Sequence, residues 1–344
     1  MTWKRKKMER REFIKKISLL GGLALVSRYL PACRPVKEET AMTKVSLVKT
    51  ADRVEGTRQA IKLLKINPVK GKAVVLKPNF NTADPAPGST HIDTLRTLIT
   101  TLKEMGAKKI TLAERSGPGD TSRNIMEKKG VLRLATELGF DIVNLQEMPK
   151  SDWVLFRPPD SHWKDGFLFP RVCREAESIV QTCCLKTHQF GGHFTLSLKC
   201  SVGMLPPGLG PAGGEYSYMN ELHSSRFQRQ MIAEINTAYS PDLIVMDGVE
   251  AFVDGGPHMG TRVKAEVMLG SSDRVAIDAV GVAILRLLGT TPDVSRGKIF
   301  EQDQIKRAAE LGLGVKSADQ IELITGDKDS AEYAKKVKEM LGKG

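Results

Sequence analysis

Charged and imidazole side chains stand at or just after the ends of successive predicted strands, and together they could perform acid–base chemistry on a bound anion. The group consists of Lys77, Glu114, Lys186, His188, Lys199 and Asp247. Lysine ammonium groups bind phosphate and carboxylate, whereas an imidazole exchanges a proton near neutral pH. We therefore predict that His188 is a general acid/base and that Glu114 and Asp247 tune it or coordinate a divalent cation.

Asn79, His91 and Asp254 extend this group of candidates. His91 follows Ser89-Thr90 at the predicted start of a helix, where either hydroxyl can act as the cap. The free N–H groups of a helix N-terminus suit a phosphate or carboxylate. The predicted ligand-binding residues are Lys77, Asn79, His91, Lys186, Lys199 and Asp254. Each of them taken singly has an ordinary structural alternative, such as a solvated loop side chain or a turn.

Three loop histidines, His188, His193 and His258, are the candidates for a metal site. Neutral imidazole is a common ligand of zinc and other transition metals. Gly191 and Gly192 separate the first two histidines, so a loop rather than one helical turn would have to bring them together. A divalent metal is therefore one cofactor hypothesis. The sequence contains neither GxGxxG after a strand nor GxxxxGK[ST], so no phosphate-binding fingerprint is present.

Cysteine usage gives a second cofactor hypothesis. Beyond Cys33 the chain contains Cys173, Cys183, Cys184 and Cys200. Cys183 and Cys184 fall in an apolar predicted strand, which favours the interpretation that they are small buried hydrophobic residues. A disulfide or an iron–sulfur cluster on the four cysteines is the alternative. The absence of CxxC spacing makes the cluster the less favoured cofactor.

Strand and helix signals alternate from residue 44 onward. Strands are predicted at 45–49, 73–76, 109–113, 142–145, 178–185, 243–246 and 263–269. Helices are predicted at 54–64, 92–105, 121–138 with a break at Gly130, 227–239, 274–288, 302–311 and 331–341. This rhythm indicates an α/β fold, a mostly parallel sheet with helices on both faces, with irregular insertions at 149–170 and 203–214. Parallel strands deliver their carboxyl ends to one edge, so six of the candidates should meet in one cleft. They are Lys77, Glu114, Lys186, His188, Lys199 and Asp247.

Residues 1–33 resemble a twin-arginine export signal. Arg10 and Arg11 precede a short, weakly apolar stretch that is too short for a comfortable membrane span. We therefore predict the twin-arginine translocase as a partner, and the periplasm or the outer face of the cytoplasmic membrane as the location. Leu30-Pro-Ala-Cys33 resembles a lipobox, which leaves lipidation at Cys33, simple cleavage and an uncleaved anchor as alternatives. A linker at 34–42 and an α/β domain at 43–344 follow.

The formal net charge of +12 is concentrated in the N-terminal segment. Residues 1–32 hold nine Lys/Arg and two Glu, which leaves 43 basic and 38 acidic residues in the remainder. That balance is ordinary for a domain of this size, and basic residues do not interleave with aromatic ones. The sequence therefore gives no support for nucleic-acid binding and predicts membrane contact only through the signal or a lipid.

Seven ordered motifs resemble the DUF362 family, whose function is uncharacterised. The motifs are Lys77-Pro-Asn79, Ala113-Glu114, Leu185-Lys186-Thr-His188, Thr195-Leu-Ser-Leu-Lys199, Asp247-Gly248, Gly255-Gly-Pro257 and Asp273-Arg-Val-Ala-Ile-Asp278. The resemblance runs from about residue 45 to 324 and implies an α/β domain with these positions as the common site. Some relatives carry an added ferredoxin-like domain, which implies a redox setting, and many have Asn at the position of Cys200. The resemblance implies no particular reaction.

Three functional hypotheses remain open on the sequence. In the first, the chain is an exported metal-assisted or acid/base enzyme that acts on an anionic small molecule. In the second, it is a cell-envelope binding protein or cofactor chaperone that needs the lysines but not His188. In the third, it is an iron–sulfur or redox partner that uses the four cysteines.

Overall fold

The structure, a computed structural model, describes residues 42–343. Its strands are β1 (Thr43–Lys49), β2 (Ala73–Lys77), β3 (Lys109–Glu114), β4 (Asp141–Asn144), β5 (Trp153–Phe156), β6 (Phe167–Pro170), β7 (Ser178–His188), β8 (His193–Thr195), β9 (Leu243–Gly255), β10 (Gly260–Ser271) and β11 (Ile321–Ile324). The predicted export signal, the lipobox-like end at Cys33 and the linker up to residue 41 lie outside the described residues.

The α-helices follow the predicted rhythm closely. They are α1 (Arg53–Leu64), α2 (Ile92–Glu104), α3 (Ser122–Lys128), α4 (Val131–Leu138), α5 (Arg171–Arg174), α6 (Tyr218–Ser224), α7 (Gln228–Ile235), α8 (Arg274–Leu287), α9 (Pro292–Ser295), α10 (Asp303–Glu310) and α11 (Lys328–Gly342). Gly130, with a left-handed φ of 73°, separates α3 from α4 as expected. None of the helices between residues 42 and 343 is long and apolar enough to cross a membrane.

One mixed sheet organises the fold. Its order is β11-β1-β10-β9-β7-β2-β3-β4, and the short β8 pairs with β7 beside this path. Every neighbouring pair along the path is parallel except the two that involve β10. The carboxyl ends of β2, β3 and β7 therefore lie side by side at one edge. The predicted α/β fold class, with a mostly parallel sheet, is confirmed.

Helices cover both faces of this sheet, because its strands are apolar on both sides. On one face, α8 and α11 pack against strand residues such as Leu47 and Leu269. On the other face, α1, α2 and α4 pack against strand residues such as Val48 and Leu76. Buried side chains on both faces are the expected pattern for a largely parallel sheet.

The insertion at 149–170 contributes most of the aromatic side chains of a third apolar cluster. This predicted irregular insertion contains an antiparallel hairpin of β5 and β6. Its aromatic side chains, Trp163 among them, pack with Tyr218 of α6. Residues Leu198–Met204 form a 3-10 helix, and the glycine- and proline-rich chain beyond it is irregular up to α6. The 3-10 helix lies over the end of the sheet where the polar residues lie.

Candidate functional site

A cavity of about 550 Å³ opens at the carboxyl ends of β2, β3 and β7. Its walls also include the 3-10 helix at Leu198–Met204, the loop after β3 and one side of α6. This volume falls within the range of pockets that hold small organic ligands. Among the predicted residues, the cavity brings together Lys77, Asn79, Glu114, Lys186, His188, Lys199 and His258.

Lys77 and Glu114 form a buried ion pair on the cavity floor. Lys77 Nζ donates to Glu114 Oε1 at 2.8 Å, and both side chains are almost fully buried. The backbone N–H groups of Phe80 and Arg115 donate to the same carboxylate. Burial raises the pKa of Glu114, and the ammonium and the two N–H donors oppose that rise. A Cβ at Gly203 would lie 3.2 Å from Lys77 Nζ, so only a glycine lets the 3-10 helix approach this pair without displacing it.

Lys186 lies near the end of β7 and is fully buried. Its Nζ donates to the carbonyl oxygens of Gly88 and Pro257, the latter at 2.9 Å. No carboxylate forms an ion pair with Lys186 in the part of the chain that the structure describes. Burial consequently lowers the pKa of this ammonium. Lys186 therefore joins two loops of the cavity rim, and its charge has no carboxylate partner among residues 42–343.

Lys199 and His188 approach each other across Gly192. A Cβ on Gly192 would lie 3.0 Å from Lys199 Cε and 3.1 Å from His188 Nδ1. Both side chains therefore pack against the same glycine. Burial, and then the charge of Lys186, lowers the pKa of Lys199 to about 8. Burial, and then the charges of Lys199 and Lys186, holds the pKa of His188 well below its ordinary value. His188 is therefore a neutral imidazole at neutral pH, able to accept a proton.

A carboxylate beneath the cavity holds the segment that presents Lys199. Asp278 on α8 accepts hydrogen bonds from the backbone N–H groups of Ser197 at 2.7 Å and Leu198 at 3.0 Å. It is fully buried, and burial raises its pKa, but the two N–H donors, one on each oxygen, oppose the rise and favour the carboxylate form. Two of the ordered sequence motifs, around positions 199 and 278, are thus joined by direct hydrogen bonds. Asp278 positions the chain at the start of the 3-10 helix without lining the cavity itself.

Several polar atoms in the cavity wall are buried and have no hydrogen-bond partner among the residues 42–343. They are Asn79 Oδ1, Arg115 Nε, Ser116 Oγ, His188 Nδ1 and Thr195 Oγ1. An unmade hydrogen bond at a buried polar atom costs about 1–3 kcal/mol, and such atoms are few in native proteins. Five of them around one cavity indicate that a polar ligand or ordered water completes them.

Apolar side chains line the other part of the cavity. Phe80 lies in the wall and is 1% exposed, whereas Phe190 and Met219 lie at the rim. Phe190 is 52% exposed and makes an edge contact with the His188 ring. The cavity therefore offers both cationic and apolar surface to one molecule.

Asp247, which was expected in the cleft, does not line the cavity, and neither do His91 and Asp254. Asp247 Oδ2 instead accepts from Arg53 at 2.9 Å and from Thr94 at 2.7 Å. Strand β9 continues beyond the predicted end at residue 246, so Asp247 lies within a strand and Asp254 lies near its far end, exposed. His91 is the N-cap of α2, with Nδ1 accepting from the Asp93 N–H.

The predicted metal-binding histidines do not converge. His188 and His258 line the cavity, but His193 Nε2 lies 2.7 Å from Arg229 Nη1 outside it. A guanidinium beside the imidazole disfavours a cation at that nitrogen. No group of three or more His, Cys, Asp or Glu side chains in the described chain is arranged to hold a metal ion.

The four cysteines beyond residue 33 are buried, free thiols. Cys183 and Cys184 are consecutive strand residues, so their side chains point to opposite faces of the sheet and cannot serve one cluster. Cys183 packs in the same apolar cluster as Cys200, and Cys173 lies in another. Burial raises the pKa of Cys173 and Cys184 to about 12. The interpretation as small core residues fits this arrangement, and the cluster hypothesis does not.

Arg115 and Ser116 were not among the predicted site residues, although both line the cavity together with Thr195, which opens one of the sequence motifs. Arg115 Nη2 donates to the Val202 carbonyl at 3.1 Å, and the side chain is 9% exposed. The only sequence signal for Arg115 was its place directly after Glu114 at a strand end. Burial lowers the pKa of this guanidinium, which nonetheless remains charged at any physiological pH.

Residues 74–283 match the family described as "Domain of unknown function (DUF362)". Among solved structures, the chain is similar to the lactate racemase apoprotein from Thermoanaerobacterium thermosaccharolyticum, with a TM-score of 0.40 and 13% identity over 74% of this chain and 58% of that one. The chain thus spans less than two thirds of that structure, and the likeness carries no functional argument. The curated proteins contain no match.

Proposed function

The chain belongs to the DUF362 family, and we propose that its cavity binds a small organic anion whose carboxylate or phosphate meets the lysines and Arg115. We further propose that His188 acts on this molecule as an acid/base. The observation that carries the proposal is the set of five buried, unpartnered polar atoms around one cavity. A ligand with several oxygen atoms could complete them.

The charge of the cavity wall supports an anionic ligand. Lys77, Arg115, Lys186 and Lys199 line it, whereas Glu114 is its only carboxylate among the described residues. Because Glu114 is paired with Lys77, the charges of the other cations remain uncompensated. Like charges at intermediate dielectric repel one another by a few kcal/mol, and a bound anion removes that repulsion. The apolar wall at Phe80 and Met219 favours an anion with an organic body.

The environment of His188 supports a role as a base. The imidazole is neutral at rest, because burial and neighbouring lysines disfavour its protonated form. A bound anion would offset the lysine charges, so proton uptake becomes easier when the cavity is filled. This coupling would let His188 accept a proton from a ligand and return it.

A non-catalytic binding protein is the second candidate. It would use the same cationic and apolar walls, and it would not need proton transfer by His188. Replacing His188 by Gln therefore separates the two: an enzyme would keep binding and lose turnover, whereas a binding protein would lose little.

Calorimetric titration tests the proposal. The probes are inorganic phosphate and panels of small phosphate esters and carboxylates, titrated into the unmodified chain and into Lys199→Met and Arg115→Met. We expect saturable binding of at least one probe that both substitutions weaken. Lys62→Met, which changes an exposed lysine of α1, is the matched control and should leave affinity unchanged. Binding that is absent throughout, or that survives both cavity substitutions, contradicts the proposal.

We also propose that the domain acts outside the cytoplasm, anchored through Cys33 or released after cleavage. The proposal rests on Arg10, Arg11 and the segment that ends at Cys33.

A further inference from the structure

Lys199 differs from the other two lysines of the cavity in having no acceptor. Lys77 is paired with Glu114, and Lys186 donates to two backbone carbonyls. Lys199 is 8% exposed and lines the cavity, yet its Nζ has no hydrogen bond or ion pair with any residue between 42 and 343. An ammonium held by acceptors resists deprotonation. An amine without acceptors can lose its proton and present a lone pair.

We propose that Lys199 is a nucleophilic amine that forms an imine with the carbonyl carbon of an anionic aldehyde or 2-oxo acid bound in the cavity. This inference rests on the proposed function, because it places the carbonyl compound in the same anion-binding cavity. It adds the chemical class of the ligand and a covalent step.

The surroundings of Lys199 fit this role. Lysine nucleophiles are activated by burial and by an adjacent cation, both of which favour the neutral amine. Lys199 has both, since it is nine-tenths buried and Lys186 is the neighbouring cation. The pKa of about 8 that results leaves a fraction of the amine neutral at physiological pH. An ordinary lysine near 10.5 is almost wholly protonated there.

The step balances without any redox partner. The neutral Nζ lone pair forms a C–N bond with the carbonyl carbon, and the carbonyl oxygen takes up a proton. Nitrogen gives up one of its two protons, and a further proton taken up by the hydroxyl lets it leave as water, so the product is an imine with one proton on nitrogen. His188, which faces Lys199 across Gly192, is placed to carry protons between nitrogen and oxygen. The carboxylate or phosphate of the ligand would be held by Arg115 and Lys186.

Reductive trapping tests the inference. Pyruvate and sodium cyanoborohydride are added to the chain at several pH values, and the adduct is located by peptide mass spectrometry. We expect modification at Lys199 ahead of all other lysines, with a rate that rises with pH through about 8. Lys199→Arg should abolish that adduct, and His188→Gln should slow it. The exposed Lys62 provides an internal measure of unspecific labelling.

Three outcomes separate this inference from the proposed function. Preferential labelling of Lys199 that phosphate suppresses by competition supports both. In the second outcome, calorimetry shows binding of phosphate or carboxylates, but neither pyruvate nor a phosphorylated aldehyde labels Lys199 preferentially. That result overturns the imine and leaves the anion-binding function intact. Absence of anion binding together with absence of labelling overturns both. Lys199→Arg keeps the positive charge, so retained anion binding in that variant also shows that it has folded.

Discussion

Lys77 Nζ lies 2.8 Å from Glu114 Oε1, and the two side chains are 2% and 1% exposed. They come from adjacent parallel strands, β2 and β3, each as its last residue. The ion pair therefore lies at the edge formed by the carboxyl ends of the strands, where proteins with open parallel sheets bind their ligands. The pair fixes the floor of the cavity and leaves the other cations to meet the ligand.

Glu114→Gln should destabilise the fold strongly, because it leaves the Lys77 ammonium buried without a counter-charge. We expect a loss of roughly 3–5 kcal/mol in the free energy of unfolding, measured by urea denaturation. The double variant Lys77→Met with Glu114→Leu should lose less than the two single losses together. Glu104→Gln is the control, because its pair with Arg58 is exposed and should cost at most about 1 kcal/mol. A small loss in Glu114→Gln would contradict the structural role of the pair.

Gly192→Ala should weaken anion binding without unfolding the chain. The added methyl group would meet Lys199 Cε at 3.0 Å and His188 Nδ1 at 3.1 Å, so both groups must move. Calorimetry with phosphate, alongside thermal unfolding, checks this expectation. Gly214→Ala is the matched control, because nothing lies within 4 Å of its added Cβ. Equal affinities in the two variants would show that this crowding does not reach the ligand.

Asp278→Asn should displace the segment that carries Lys199. The carboxylate now accepts one hydrogen bond from each of two backbone N–H groups. The amide of Asn can accept only one of these bonds and turns its NH2 group toward the other N–H. One hydrogen bond is lost and two donors then face each other. We expect a loss of about 1–3 kcal/mol in unfolding free energy together with weaker anion binding. Asp273→Asn keeps an acceptor at the cap of the same helix but turns an NH2 group toward the Val315 N–H that now donates to Oδ2, so it should cost stability without changing affinity. If Asp278 has only a structural role, folded Asp278→Asn and folded Asp273→Asn should bind the anion with equal affinity.

Residues at the sheet edge could be predicted from the sequence because neighbouring parallel strands place their carboxyl ends side by side. Lys77, Glu114 and Lys186 meet because their strands are neighbours and run in the same direction. The prediction failed at Asp247, since β9 continues for eight more residues and pairs with the antiparallel β10. Gly248 and the acidic residues nearby resemble a turn in sequence, and only the long-range pairing with β10 makes them a strand.

The remaining parts of the site depend on contacts that leave no local pattern. Arg115 appears in sequence as a loop arginine, and its burial arises from the 3-10 helix that covers it nearly ninety positions later. The hydrogen bonds from Ser197 and Leu198 to Asp278 likewise join segments about eighty residues apart. The unpartnered state of Lys199 is a property of the assembled cavity, so no spacing could indicate it.

Export through the twin-arginine pathway is open to a direct test. Replacing Arg10 and Arg11 together by Lys keeps the charge but removes the pair that the translocase reads, so the protein should remain in the cytoplasm. Fractionation followed by immunoblotting measures the distribution. Lys15→Arg with Lys16→Arg is the control, since it leaves the pair intact and should not change export. Continued export of the Arg10/Arg11 variant would indicate another route.

Lys199→Met should stabilise the protein in phosphate-free buffer while it removes anion binding. The unfolded chain protonates Lys199 near 10.5, whereas the folded chain does so only near 8, so at neutral pH the buried charge costs up to about 3 kcal/mol. Between those two values the unfolded state binds more protons, and this group therefore makes the unmodified protein more stable as the pH rises. The stability advantage of Lys199→Met should be largest below pH 8 and should vanish as the pH approaches 10.5.

Chemical denaturation of both proteins across that pH range measures the difference directly, because the other titrating groups are shared and cancel. Lys62→Met, at an exposed lysine, should show a difference that is small and flat. Saturating phosphate should reduce the advantage of Lys199→Met, because only the unmodified cavity gains stability from the bound anion. An advantage that is absent at neutral pH would mean that the Lys199 charge is already compensated, and the cavity would then have no uncompensated charge at Lys199 for an anion to satisfy.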